Sequence, residues 1–277
     1  MPRALIGRAR TGTAVAAVAA LLAACGVTET FRPDGGAFTA NAEAGSAANI
    51  ESLTAVINQN PGDASAYNVR GTALGQAGRF QEAIADFNQA IALNASFYQA
   101  YNNRAFVHRL MGNAQAALAD YNAALQINPD YAAAYRGRGI IFRQNGRNAE
   151  ALADFERAIA IDSSDPQPYY NRGLILQAEG RHQEAIADFS VAISLNPNAA
   201  EPYDGRGVSN LAMNDLPDAL QDFSAAVNRN RESAIFWTNL GIVQVRMGDT
   251  QNGRAAITRA TILDPSYQPA REALRAS

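Results

Sequence analysis

Apolar and small residues recur at intervals of three and four along most of the chain. Tyr67, Gly71 and Leu74 fall at i, i+4 and i+7, and Ala83, Ile84, Phe87, Ala90 and Ile91 at i, i+1, i+4, i+7 and i+8. Each stretch predicts an amphipathic helix with one buried stripe. The break between them falls at Gly78 and recurs at Gly112, Gly146, Gly180, Asn214 and Gly248, residue types that tolerate the left-handed backbone ending a helix. Pro168 and Pro202 sit near the starts of first helices, where a missing N–H costs little. The helix pair returns every 34 residues, marked by Tyr67, Tyr101, Tyr135, Tyr169, Tyr203 and Trp237. Such a period is the signature of a repeat array. One pair cannot bury its apolar face alone, so neighbouring pairs must stack into a solenoid with a concave side.

Alignment on that aromatic exposes three columns of small residues. Gly71, Ala105, Gly139, Gly173, Gly207 and Gly241 form the first, and Ala83, Ala117, Ala151, Ala185, Ala219 and Gly253 the second. Ala90, Ala124, Ala158, Ala192, Ala226 and Ala260 form the third. Between the last two stand Phe87, Tyr121, Phe155, Phe189, Phe223 and Ile257, and Pro129, Pro197 and Pro265 close three repeats. This pattern resembles the tetratricopeptide repeat. Departures are Ala95, Ser163 and Arg231 at the closing Pro, and Gly253 with Ile257 in the last repeat. The resemblance implies an all-α, right-handed superhelical solenoid of six full repeats over residues 64–267. Ile50, Leu53, Val56, Ile57 and Pro61 match the second half of a repeat, so residues 49–63 are expected to form a half-repeat cap. Residues 268–277 are expected to form a C-terminal cap helix.

Charge follows the same period. Arg70, Arg104, Arg138, Arg172 and Arg206 each stand three residues after the aromatic, and Asp86, Asp120, Asp154, Asp188 and Asp222 follow sixteen residues later. In the sixth repeat both are lost together, leaving Leu240 and Ala256. Joint presence and joint loss predict five ion pairs between paired helices, because removing one partner of a partly buried pair is worse than removing both.

The first residues carry a different pattern. Arg3, Arg8 and Arg10 precede an uncharged apolar run from Ala14 to Ala24, too short for the roughly 20 residues that span a bilayer. The run ends in Leu22-Ala23-Ala24-Cys25, and Cys25 is the only cysteine. This resembles the lipobox of bacterial lipoproteins, which implies a signal peptide over residues 1–24 and lipidation of Cys25. Gly26 at the next position is similar to outer-membrane sorting patterns rather than inner-membrane retention. Residues 25–48, with Pro33-Asp34-Gly35-Gly36, read as the lipidated Cys and a flexible tether reaching roughly 25 Å.

The chain has 23 basic and 26 acidic residues, for a formal charge of −3. Without the three leader arginines the balance is 20 against 26, or −6, which argues against nucleic acid as a partner. A single cysteine excludes an intramolecular disulfide framework and a cysteine zinc cage. His108 shares a column with Leu74, Phe142 and Leu176 and reads as a packed residue, while His182 follows the Gly180 turn and reads as solvated surface. The sequence contains no H-E-x-x-H, G-x-S-x-G or phosphate-loop string. Neither enzymatic activity nor a cofactor or metal is expected.

The resemblance also selects a binding face, formed by first-helix positions one before, one after, five after and eight after the aromatic. In this chain it gives Asn68 and Thr72, then Asn102, Phe106 and Arg109, with Asn103 beside them. The third repeat adds Arg136, Ile140 and Arg143, and the fourth Tyr170, Leu174 and Gln177. The fifth changes sign with Glu201 and Asp204. An arginine cluster on an acidic chain suits an extended acidic peptide, with Asn102 and Asn103 available to peptide backbone. The family's carboxylate clamp uses Lys at places where this chain has none. The layout resembles outer-membrane tetratricopeptide lipoproteins that scaffold peptidoglycan hydrolases. The expected function is therefore a protein-binding adaptor, lipid-anchored to the outer membrane and facing the periplasm, whose partners are other envelope proteins or acidic extended peptides. A structural subunit of an envelope pilus or secretion machine is the alternative, and a homo-oligomer is left open.

Overall fold

A computed structural model describes residues 45–277. The proposed signal peptide, Cys25 and nearly all of the tether lie outside the described residues. Among the described residues there are fourteen helices and no strand, and the architecture is an all-α helical-repeat solenoid. Residues 45–179 and 187–197 form one compact unit, and residues 180–186 and 198–277 form a second, smaller one.

The larger unit begins with α1 (Ala47–Gln59), whose first turn is capped by Ser46 Oγ accepting from the Asn49 N–H at 3.2 Å. Helix pairs follow: α2 (Ala64–Gln76) with α3 (Phe80–Leu93), α4 (Tyr98–Leu110) with α5 (Ala114–Ile127), and α6 (Ala132–Gln144) with α7 (Asn148–Ile161). Next come α8 (Pro166–Ala178) and α9 (His182–Leu195), of which residues 187–195 belong to this unit. Within the unit the first helices α2, α4, α6 and α8 pack side by side. The smaller unit holds α10 (Glu201–Ala212) with α11 (Leu216–Arg229), α12 (Ala234–Arg246) with α13 (Thr250–Leu263), and α14 (Gln268–Ala276) against α12 and α13.

The expected turn residues end the first helices. Gly78, Gly112 and Gly146 have φ of 75°, 75° and 71°, and Asn214 takes the same region at 63°. The small-residue columns permit close helix contact: Ala83, Ala90, Ala117, Ala124, Ala151 and Ala158 have no exposed surface. Phe87 and Phe155 are likewise wholly buried, each contributing about 1.5–3 kcal/mol by leaving water. A Cβ added to Gly139 would lie 2.8 Å from the Phe155 ring, so this position admits no side chain without displacing the core.

All five expected ion pairs form. Arg138 donates from Nε to Asp154 Oδ2 at 2.8 Å and from Nη2 to Oδ1 at 2.7 Å. Arg70, Arg104 and Arg172 engage Asp86, Asp120 and Asp188 in the same two-pronged way. In the smaller unit Arg206 reaches Asp222 at 2.8 Å. The carboxylates are buried, Asp154 at 4% exposure, and the hydrogen bond donated to Asp154 raises the Arg138 pKa against the opposing effect of burial. In three of the staples a third guanidinium donor extends to the helix preceding the pair: Arg138 Nη1 reaches Asn122 Oδ1 at 2.7 Å, Arg70 Nη1 reaches Thr54 Oγ1 at 3.1 Å, and Arg104 Nη1 reaches Asn88 Oδ1. Leu240 and Ala256, at 7% and 5% exposure, fill the corresponding places in the sixth repeat with apolar contact.

The ion pair therefore has a built-in reference state. Arg138→Leu leaves Asp154 buried without its counter-charge and is expected to cost about 3–5 kcal/mol, whereas adding Asp154→Ala recovers most of that loss. Urea denaturation of the parent, both single variants and the double variant measures the coupling. Strictly additive losses would show that the pair is not interdependent.

Candidate functional site

The side-by-side first helices of the larger unit bring the sequence-selected residues into two groups. In the first, Asn103 Nδ2 donates to Asn68 Oδ1 at 3.1 Å and to Thr72 Oγ1 at 3.4 Å. The Thr72 hydroxyl donates back to the Asn68 carbonyl at 2.9 Å, and Asn102 Nδ2 donates to Asn103 Oδ1 at 3.2 Å. Asn102 and Asn103 are buried at 5% and 6% exposure. These four residues thus form one amide and hydroxyl network across α2 and α4.

The second group is cationic and aromatic. The Arg109 guanidinium lies 5.1 Å from the Phe106 ring centroid and hydrogen-bonds the hydroxyl of Tyr121, a buried residue of α5. Burial raises the Tyr121 pKa, while the charges of Arg109 and Arg136 act to lower it. Arg136 is itself buried and its Nη1 donates to Asp165 Oδ2 at 2.6 Å. Asp165 also caps α8, accepting from the Gln167 N–H at 2.9 Å. Part of the Arg136 charge is therefore committed to holding α6 against the start of α8. Arg143 Nε donates to Asn171 Oδ1 at 3.1 Å, and Asn171 Nδ2 donates to the Gln167 carbonyl at 2.9 Å.

The apolar members divide by burial. Ile140 is 3% exposed and packs with Phe142, Phe155 and Ile175, so it supports the face from beneath. Tyr170 is 6% exposed and its ring stands 6.0 Å from that of Phe189. Phe106, Leu174 and Gln177 are half-buried and retain surface for contact. Tyr121 and Gly137 escaped the sequence-based selection of face residues. Tyr121 occupies a column otherwise filled by Phe in four repeats, and Gly137 stands where Asn103, Asn171 and Asn239 stand elsewhere. A Cβ on Gly137 would lie 2.5 Å from the Tyr121 hydroxyl oxygen, so the tyrosine requires a glycine there, although Gly205 holds the same column after Phe189.

His108 is half-buried, and burial lowers its pKa. His182 differs from the expected solvated surface residue: it is half-buried with Nδ1 buried and without a protein partner, because it opens α9 beside the turn. Among the described residues no group of three His, Cys, Asp or Glu is arranged to hold a metal ion. No described helix is long and apolar enough to cross a membrane.

In the smaller unit, Asn239 Nδ2 donates to Asp204 Oδ1 at 2.8 Å. Burial pushes the Asp204 pKa from its ordinary 3.8 up to about 7, with the Glu201 and Asp222 carboxylates adding to the rise and the Asn239 bond opposing it. Burial also raises Glu201. The folded chain thus keeps a proton that the unfolded chain releases from about pH 4 upward. Stability must fall as pH rises from that point to about 7 and then level off. Asp204→Asn retains the acceptor for Asn239 and removes the titration. The melting temperature of the parent is expected to drop more steeply than that of the variant between pH 5 and pH 8; equal slopes would exclude Asp204 as the group responsible.

Sequence profiles of the tetratricopeptide repeat match residues 64–97, 96–164, 166–199 and 205–268, together well over half of the chain. Curated proteins give no significant match. Among solved structures, the APC/C hetero-tetramer Cut9-Hcn1 is similar with a TM-score of 0.73 and 16% identity, over 84% of this chain and 46% of that chain. This chain therefore spans less than half the length of that relative. YrrB, described as a TPR protein with an unusual peptide-binding site, has a TM-score of 0.57 and 24% identity over 68% of this chain and 97% of that one. PilW, described as a widely conserved type IV pilus biogenesis factor, has a TM-score of 0.67 and 18% identity over 76% of this chain and 98% of that one. With the repeat columns, the helix pairs and the profile matches in agreement, the chain belongs to the tetratricopeptide-repeat family.

Proposed function

We propose that the protein is a lipid-anchored envelope adaptor that holds an extended acidic segment of another protein against the first-helix face of the larger unit. A tetratricopeptide-repeat protein is a protein-interaction scaffold by construction, since its side-by-side first helices offer a long surface. One observation carries the acidic partner: the half-buried Arg109 and Arg143 lie on that face, with Phe106 beside Arg109, in a chain whose balance beyond the leader is 20 basic against 26 acidic residues. Local positive potential favours an acidic segment over a basic one, while the net negative charge of the chain disfavours nucleic acid. Arginine forks hold carboxylates with two hydrogen bonds, and aromatic neighbours supply apolar contact.

The anchor in this reading is Cys25, with residues 26–48 as the tether and Gly26 directing the protein to the outer membrane. The partners are envelope proteins, with peptidoglycan hydrolases and their regulating proteases as the class that the layout resembles. The resemblance to PilW favours a second reading, a subunit of a pilus or secretion assembly. Detergent extraction followed by sizing separates the two: an adaptor runs mainly as free protein, an assembly subunit as a stoichiometric complex.

Two experiments test the proposal. Crosslinking from the mature protein in intact cells, read by mass spectrometry, identifies the partner; Arg109→Gln with Arg143→Gln is then expected to weaken its purified binding by more than about tenfold, or about 1.4 kcal/mol. Arg136 is left in place because it pairs with Asp165. Unchanged affinity would move the binding surface elsewhere. Cys25→Ser is expected to accumulate unprocessed precursor and lose the acyl anchor; normal processing with membrane retention would defeat the lipoprotein assignment.

A further inference from the structure

Arginines of the larger unit are held by the protein. Arg70, Arg104, Arg138 and Arg172 pair with aspartates of the second helices, Arg136 pairs with Asp165, and Arg143 donates to Asn171. The last two helices of the smaller unit carry arginine differently. Arg254 and Arg259 of α13 and Arg271 and Arg275 of α14 are all exposed, and among the described residues no ion pair holds any of them. Over residues 250–277 these four cations face two acids, Asp264 and Glu272. Asp264 is engaged locally, its Oδ1 accepting from the Ser266 N–H at 2.8 Å and from the Ser266 hydroxyl at 2.6 Å.

The arginines of α13 share a face with an unusual apolar residue. The helix buries Gly253, Ala256, Ile257 and Ala260 and turns Gln251, Arg254, Ala255, Thr258, Arg259 and Ile262 to solvent. Those outward positions fall at i, i+3, i+4, i+7, i+8 and i+11, one continuous stripe along the helix. The stripe holds two cations and no acid. It ends on Ile262, which at 64% is the most exposed large hydrophobic side chain among the described residues. Arg254 stands where all five earlier repeats place Ile or Leu, and Ile262 where they place a small or amide residue. A change made only to shed apolar surface would account for the first exchange but not for the second, which adds apolar surface beside the new charge.

We propose that the outward face of α13, together with the arginines of α14, rests on an anionic phospholipid surface, with the guanidinium groups among the headgroup phosphates and Ile262 entering the acyl boundary. The contact is peripheral, since no described helix is long and apolar enough to span a bilayer. Guanidinium groups that no protein group orients can adapt to a fluid layer of phosphates, whereas Arg136 and Arg143, fixed by Asp165 and Asn171, suit one ligand in one pose. An acidic polypeptide is the other anionic partner, and Ile262 favours the bilayer over it: an apolar side chain projecting from a cationic stripe is the pattern of an interfacial helix. This inference concerns the smaller unit alone and does not depend on acylation of Cys25.

The test uses the chain from Gly26 onward, which keeps every described helix and lacks the leader's own arginines and apolar run. It is expected to float with vesicles of phosphatidylcholine and phosphatidylglycerol, not with phosphatidylcholine alone, and to be released as salt is raised. Each arginine near such a surface contributes about fivefold in affinity, so Arg254→Gln with Arg259→Gln is expected to weaken binding by more than about tenfold. Ile262→Cys is the only cysteine in this chain, and a polarity-sensitive dye attached there is expected to shift its emission to the blue on the anionic vesicles. Arg109→Gln with Arg143→Gln is expected to leave vesicle binding intact, so this inference and the acidic-segment reading fail separately. Equal flotation with both kinds of vesicle, flotation with neither, full affinity in the Arg254 and Arg259 variant, or unchanged dye emission would each overturn the inference. Capture of polyglutamate that the same variant loses, with vesicles left unbound, would assign the arginines to an acidic polypeptide instead and overturn it too.

Discussion

The ring of Phe155 pressed on the backbone of Gly139 is the contact on which the repeat depends. A Cβ at Gly139 would intrude to 2.8 Å of that ring, and Gly71 with Phe87 and Gly207 with Phe223 repeat the geometry. It fixes how near the two helices of a pair approach and how they are rotated. Arg138 immediately precedes the glycine and Asp154 immediately precedes the phenylalanine, so the apolar contact brings the ion pair together as a by-product of helix geometry. The same approach leaves the opposite side of each first helix uncovered. That side becomes the shared face of α2, α4, α6 and α8.

Why a repeat should keep a buried ion pair is a question of competing costs. Two charges taken from water lose hydration, and attraction between them offsets that loss only when the remaining donors are also satisfied. Here the third guanidinium donor of Arg138 reaches Asn122 on the preceding second helix, and that of Arg70 reaches Thr54. The pair therefore links three helices, specifying how one repeat meets the previous one. The sixth repeat shows the other solution, with Leu240 and Ala256 filling the space apolarly. Lysine has a single ammonium and could not make the fork and the lateral bond together, so an Arg-only composition suits this joint.

The parts legible in the sequence are those that repeat. Six copies of each column expose the small residues, the turns at Gly78 or Asn214, and the Arg and Asp register, because the same packing constraint acts on each copy. The binding face was legible only as positions. Spacing places Arg136 on the face, yet it does not show that Asp165, the N-cap of α8, pairs with it at 2.6 Å. Ile140 looked like lining, but the depth of a helical face depends on the tilt of its neighbours, which spacing does not encode, and it lies in the core at 3% exposure. Tyr121 and Gly137 were visible as separate oddities. Their steric dependence needed coordinates.

In an array whose members contact chiefly their neighbours, a change confined to one joint can alter one binding station without rebuilding the rest. The exchange of Phe for Tyr at residue 121 adds a hydroxyl to a fully packed ring, and Gly137 gives that hydroxyl its room. The cost is the amide that Asn103 and Asn239 supply elsewhere, so Asn102 keeps an unsatisfied oxygen. Arg109 turns to the new hydroxyl, bringing its charge beside the orphaned acceptor's repeat. Packing, polarity and charge thus change together at a single joint.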